Sequence, residues 1–267
     1  MIRSLERNGR LFFRGAYLSY VALFAWLRPT TYLASKVVGP LMQILFFALL
    51  GSFATGADTT DFYVVGNAVQ VVALSGIFGV TMSIGGDRWN GTLPYLFGTP
   101  ANRLSMFVGR AIIHVFDGMV GVFIGLAWGA LLLGLDLSST DPLALILTIL
   151  VTSFSTSGMG LMMGALSLIT VNVMFVNNMV YFVLLIFSGS NVPIAALPAW
   201  MQAVSSVIPL TRGIAATRAL IDGASLQSVA PLLGQEALIG VVYTLLGYLL
   251  FRWFEGQAKR RGTLDML

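Results

Sequence analysis

The chain has no cysteine in its 267 residues and has two lysines, Lys36 and Lys259. The first absence excludes disulfides, thiolate chemistry and cysteine-ligated metal sites. The second leaves no lysine in a glycine-rich context, and no G-x-x-x-x-G-K-[ST] stretch occurs, so this polypeptide has no P-loop for ATP phosphates. Charge is also scarce. Asp, Glu, Lys and Arg make up 10% of the residues, against about a quarter in a soluble domain. The 70 residues from Pro142 to Thr211 contain none of the four. No basic, aromatic-interleaved patch lies away from the apolar runs, which argues against nucleic acid as a partner. A single histidine, His114, leaves a metal site short of ligands.

What fills the chain is apolar. Residues are 57% hydrophobic with mean hydropathy +0.87, so lipid must serve as the solvent for much of the surface. A crossing needs about 20 apolar residues, and six stretches approach that length: Thr31–Phe53, Phe62–Gly86, Leu104–Leu135, Pro142–Leu168, Val171–Ser188 and Leu233–Phe254. The expected fold is an all-α polytopic membrane protein, a single domain over 1–267. It comprises an interfacial helix over 1–27, a six-span bundle over 31–254 and a tail over 255–267.

Basic residues orient the bundle. Thirteen of the fifteen fall on the side of both termini, among them Arg28, Lys36, Arg88, Arg103, Arg110, Arg252, Lys259, Arg260 and Arg261. That side is therefore expected to be cytoplasmic. The opposite loops hold Asp58, Asp61, Asp136, Asp141, Asp222 and Glu236, with Arg212 and Arg218 as their only cations. Lys36 sits near enough to the start of its span to snorkel to the interface. The turn near 169–172 has no basic residue, so spans four and five are oriented by counting alone.

At the N-terminus, Arg3, Arg7, Arg10 and Arg14 recur at four, three and four residues, which puts them on one helical stripe. Such a helix can lie in the membrane interface with its arginines at anionic lipid headgroups. A signal peptide shares the basic start, but the apolar core before Arg28-Pro29 is short. A solvated basic face has the same geometry.

The segment Asp87–Arg110 is the one long polar, breaker-rich stretch between two apolar runs. Gly91, Pro94, Gly98 and Pro100 limit it to a helix of about two turns, a handle projecting from the membrane. The spacing Asp87, Arg88, Gly91, Thr92, Leu93, Leu96, Thr99, Pro100, Arg103, Gly109, Arg110 resembles the cytoplasmic coupling loop of ABC-2-type transporter permeases. Trp89 and Pro94 depart from that pattern where the family often carries acids. On the opposite side Ser188–Arg218 is divided by Pro193, Pro198 and Pro209. Leu197, Trp200, Met201, Val204 and Val207 give it a short amphipathic piece, with Trp200 suited to the headgroup level. Gly189, Pro193, Leu197, Pro198, Trp200, Pro209 and Thr211 resemble the outer signature of the same family, which there forms short re-entrant helices.

The resemblance implies a permease subunit of an ABC exporter with no ATPase motif of its own. ATP and Mg would bind a separate ABC ATP-binding subunit, docked on residues 87–100. Two permeases, identical or related, would move an amphipathic drug or antibiotic, a lipid or a lipid-linked glycan across the cytoplasmic membrane. No cofactor is implied in this chain itself. Other classes stay open at this stage. His114 and Asp117, three apart, could form a metal pair or proton relay, or a hydrogen-bonded or ion-paired helix end near Arg110. With Glu236 they would serve an ion- or proton-coupled transporter, and a non-transporting scaffold would share the composition. Gly121, Gly125 and Gly129, and Gly160 with Gly164, are close-packing faces within one subunit or between two. Asn67, Gln70, Asn172, Asn177 and Asn178 are candidates for helix-to-helix hydrogen bonds.

Overall fold

A computed structural model of the protein describes residues 9–17, 21, 28–55, 59–99, 102–168 and 172–261. Among these residues there is no strand. Helix α1 covers 9–17, α2 Pro29–Thr55, α3 Thr60–Gln70, α4 Val80–Trp89, α5 Leu93–Gly98 and α6 Arg103–Leu133. Then come α7 Pro142–Ser167, α8 Val173–Phe187, α9 Ala199–Ser205, α10 Thr211–Ile221 and α11 Leu226–Arg261.

Local chemistry sets the ends. Asn102 caps α6 by accepting from the Ser105 N–H at 3.2 Å, and Gly134, at φ 74°, closes that helix. Asp141 accepts from the Leu143 N–H at 2.9 Å with Pro142 at the first helical position of α7. Asn172 caps α8 in the same way through Phe175, so it serves its own helix instead of bridging two.

Among the described residues, five helices are long and apolar enough to cross a membrane: Pro29–Thr55, Thr60–Arg88, Arg103–Leu133, Pro142–Ser167 and Leu226–Gln257. The sixth expected span is shorter than its apolar run. The 15 residues of α8 reach about 22 Å, less than a 30 Å hydrocarbon core, because Asn172 starts the helix and Ser188-Gly189 turns it. The second span is not a uniform helix either. A π-helical turn, Leu74–Gly79, lies between α3 and α4, and a Cβ on Gly160 of α7 would overlap the Gly76 carbonyl there. The last helix begins at Leu226 and runs unbroken through the expected tail to Arg261, with Pro231 confined to its second turn.

Helix α7 is central. Gly158 and Gly160 face Gly240 of α11 and Gly76 of the π turn, and Gly164 faces Ile84 of α4. Gly121, Gly125 and Gly129 of α6 meet Val71, Ala68 and Val64. Both small-residue faces are thus spent within the chain, which decides between the two packings left open by their spacing.

Three regions follow from this packing. At one end of the bundle lie α1, α5 and the end of α11, with Gly109 against the Phe12 carbonyl. At the other end α9, packed on α8, joins α10 through a turn, an α9–α10 hairpin in the sense of chain reversal and not of mutual packing. Its tip, Leu210, reaches Glu236, ten residues or about 15 Å along α11. Its exit, Ile221, accepts from Ser139 in the turn after α6. Between the two ends lies a polar tie linking α2, α6 and the π turn.

Candidate functional site

Helix α5 is a short handle with Leu93 and Phe97 turned inward. Leu93 and Phe97 are buried in a cluster with Phe107 of α6 and Phe251 and Phe254 of α11, and the Phe97 and Phe251 ring centroids are 5.8 Å apart. Pro94 and Leu96 are half-buried, whereas Gly91, Thr92, Gly98 and Thr99 are exposed. Tyr95, 78% exposed, is the large side chain on the outward face. The residue pattern LPYLFG is apolar nearly all round, so periodicity does not single out Tyr95. Leu93, expected among the docking residues, instead fills the core of its own subunit. It anchors the handle and leaves the outward surface to its neighbours.

The joint between α4 and α5 is tight. Gly91 adopts φ 64°, which a glycine tolerates. Thr92 donates its N–H to the Asp87 carbonyl at 2.9 Å and its hydroxyl to Asp87 Oδ1 at 3.0 Å. Asp87 forms an ion pair with Arg110, which also donates to the Ser83 carbonyl at 2.6 Å. Arg88 reaches the Ser167 carbonyl at 3.4 Å.

Arg103 closes the other end of α5. Its Nη1 donates to the Leu96 carbonyl at 3.1 Å, its Nη2 to the Phe97 and Thr99 carbonyls at 2.9 Å each, and its Nε to Glu255 Oε1 at 2.9 Å. One guanidinium thus bonds the Leu96 and Phe97 carbonyls of the last turn and the Thr99 carbonyl just beyond it. Glu255 also accepts from Arg252 and Lys259, both at 2.8 Å. Arg10 and Arg14 are exposed on α1; Arg3, Arg7 and Pro100 lie outside the described residues.

The opposite hairpin is held by buried polar groups. Leu210, at φ 83°, turns the chain from α9 into α10. Glu236 accepts from the Leu210 N–H at 2.6 Å, the Arg212 N–H at 3.3 Å and the Ser155 hydroxyl, so it caps α10 from another helix. Arg218 donates to the carbonyls of Gly189 and Phe62 at 2.9 and 2.8 Å and lies over the Phe62 ring at 3.6 Å. A Cβ on Gly66 would overlap both the Ser190 carbonyl and Arg218. Leu197, Pro209 and Thr211 are buried, while Pro193, Pro198 and Trp200 are exposed. The Trp200 ring lies 6.3 Å from Phe187, and Gly189, at φ 81°, turns the chain out of α8. Val207, which the amphipathic spacing groups with Leu197 and Val204, lies beyond the end of α9 at Ser205 and is 59% exposed, so no described part of this chain covers it.

Next to this hairpin, Tyr181 donates to Gln43 at 2.8 Å, Gln43 to Asn67 at 3.3 Å and Asn67 to Asn191 at 2.8 Å, while Ser188 donates to Gln70 at 3.1 Å. Asn67 and Gln70 therefore bridge helices as expected. Asn177 is buried without a hydrogen-bond partner among the described residues, and Asn178 is exposed.

His114 and Asp117 do not act on each other as a helix-end pair. Lys36 donates to Asp117 Oδ2 and Ser75 Oγ at 2.6 Å each and to the Asp117 carbonyl at 3.2 Å, which engages all three of its hydrogens; Tyr32 also donates to Asp117. Lys36 does not snorkel, since its side chain is 13% exposed. His114 packs against Gly79 of the π turn, and neither ring nitrogen has a hydrogen-bond partner among the described residues. No group of three or more metal-ligating side chains occurs among the described residues.

A short handle at one end, a capped hairpin at the other and long apolar helices between them coincide with a sequence match. The family model described as ABC-2 type transporter matches residues 17–221, which take in both the handle and the hairpin. The chain belongs to the ABC-2 type transporter family. It is accordingly a multi-pass membrane protein. A similar protein is the "Daunorubicin resistance ABC transporter permease protein DrrB1" of Streptomyces coeruleorubidus, 28% identical over 229 residues, which cover 82% of this chain and 79% of that protein.

Proposed function

We propose that the chain is the membrane-spanning subunit of an ATP-driven exporter, coupled through α5 to a separate ATP-binding subunit that holds ATP and Mg. The observation that carries this is the construction of α5. Leu93 and Phe97 fix it from inside and Arg103 closes its end, so the outward face with Gly91, Thr92, Tyr95 and Thr99 can be pushed without folding away. Asp87, Arg88 and Leu96 frame that face, and Pro100 of the same expected docking set lies outside the described residues. The α5 end, with Arg10, Arg14, Arg252, Lys259 and Arg260, is the cytoplasmic one, and the arginines of α1 rest on anionic headgroups. The α9–α10 hairpin re-enters from the outer side, α8 completes the sixth crossing, and two permeases, identical or related, enclose the path.

The cargo is an amphipathic drug or antibiotic, a lipid or a lipid-linked glycan. The named relative's link to daunorubicin resistance supports the drug branch. Proton coupling has less support, since Asp117 is saturated by Lys36 and Tyr32 and Glu236 is engaged in capping α10.

Purification of the chain from native membranes tests the proposal. A Walker-motif ATPase should accompany it in stoichiometric amount, and export should stop when that subunit's ATP site is disabled. Export that survives this loss would contradict the proposal.

A further inference from the structure

Helix α11 carries two buried carboxylates, and each holds the end of a short helix from elsewhere in the chain. Near one end Glu255 binds Arg103, whose guanidinium closes α5. Nineteen residues earlier, about 28 Å along the helix, Glu236 caps α10 at the tip of the hairpin. Between them α11 lies flush on α7. A Cβ on Gly240 would come within 2.8 Å of Ser155 Cα, and one on Gly247 within 2.7 Å of the Met162 nitrogen. Gly213 of α10 presses on Thr152 of the same α7. Helices that close cannot slide independently without opening a void or a clash, so α7 and α11 move as one body.

We propose that α11 transmits displacement of α5 to the tip of the α9–α10 hairpin, with Glu255 and Glu236 as the positioning residues at the two joints. The chain link from α5 into α6 is local, whereas α11 brings a buried carboxyl contact to both distant elements. A push on the outward face of α5 therefore reaches Leu210 through Arg103, Glu255, the helix and Glu236. This consequence rests on the role proposed for α5; the mechanical link itself does not, and is tested without any ATPase.

The native chain lacks cysteine, so single reporters can be placed at buried alanines near each end: Ala111→Cys, in the cluster under α5, and Ala216→Cys, in α10. Their rates with a small membrane-permeant maleimide are measured in native membranes. Glu255→Gln should raise the rate at position 216, and Glu236→Gln the rate at 111, each by at least about 5-fold, as coupling between sites is reciprocal. Glu255→Asp should restore most of the protection at 216. Asp117→Asn, which breaks a buried ion pair belonging to neither joint and so controls for general loss of stability, should raise either rate by much less than the Glu255 and Glu236 variants raise the distant one. Changes confined to the reporter nearest each mutation would overturn the proposal, as would equal loosening by Asp117→Asn. Failure of the chain to bind an ATPase would refute the role of α5 and leave these rates as predicted.

Discussion

Arg103 and Glu255, 152 positions apart in sequence, meet at 2.9 Å with both side chains buried, 7% and 3% exposed. The pair fastens the short α5 to the longest helix of the bundle, and it does so through the same guanidinium that completes the α5 carbonyls. Removing either partner strands the other charge in a buried site, which typically costs about 3–5 kcal/mol. Arg103→Ala and Glu255→Ala should each lower the thermal stability of the detergent-solubilised chain, and the double variant should lose less than the sum. Arg103→Lys should rescue little, because an ammonium cannot fork across three carbonyls and a carboxylate. Full additivity of the two alanine variants would show that the pair contributes nothing.

The tie between Lys36 and Asp117 makes a second prediction of the same kind. Lys36→Met or Asp117→Leu alone should destabilise the chain by about 3–5 kcal/mol, whereas the two together should recover most of the loss, since a well-packed apolar pair can replace a buried ion pair. His114→Gln should retain ATP-dependent export with an unchanged pH profile. A shifted profile in that variant would revive the proton-relay alternative.

Close approach, not backbone flexibility, dictates several glycines. Gly66→Ala drives a methyl into the Ser190 carbonyl and Arg218 and should cost about 1–3 kcal/mol of stability. Gly39→Ala and Gly234→Ala, helical positions with nothing within 4 Å, should be neutral or stabilising by up to about 1 kcal/mol. Thermal melts of the three variants check the contrast, and equal effects would contradict the packing described for α3.

The long helices were legible in the sequence because apolar runs of membrane length leave few alternatives, and Pro142 marks the start of α7 in the usual way. The 87–100 elbow and the 188–218 segment were legible as breaker-rich interruptions. The inward role of Leu93 was not, because a six-residue helix offers too few turns for a face to emerge. The partners of Arg103, Lys36 and Glu236 were equally hidden. Each is a long-range contact whose members stand in apolar surroundings, and a single sequence pairs no such residues. The π turn had only Gly76 and Gly79 as a trace, and glycines in a membrane helix more often signal packing.

On the hairpin, the covered positions are now specific. Leu197→Cys and Ser205→Cys should react slowly with a membrane-impermeant maleimide, whereas Asp222→Cys, exposed after α10, should react fast from the outer side. Fast reaction throughout 197–205 would contradict the hairpin geometry, and reaction of 222 from the cytoplasmic side would reverse the topology.

The most direct test of the account places a photo-crosslinking amino acid at position 95, the exposed apex of α5, and in a second variant at position 131, equally exposed at the far end of α6. Irradiated in native membranes, the variant at 95 should form an adduct with a Walker-motif ATP-binding subunit and the variant at 131 should not. An ATPase adduct from 131, or none from 95 in a chain that still exports its cargo, would contradict the assignment of α5 as the element that receives the force of ATP hydrolysis.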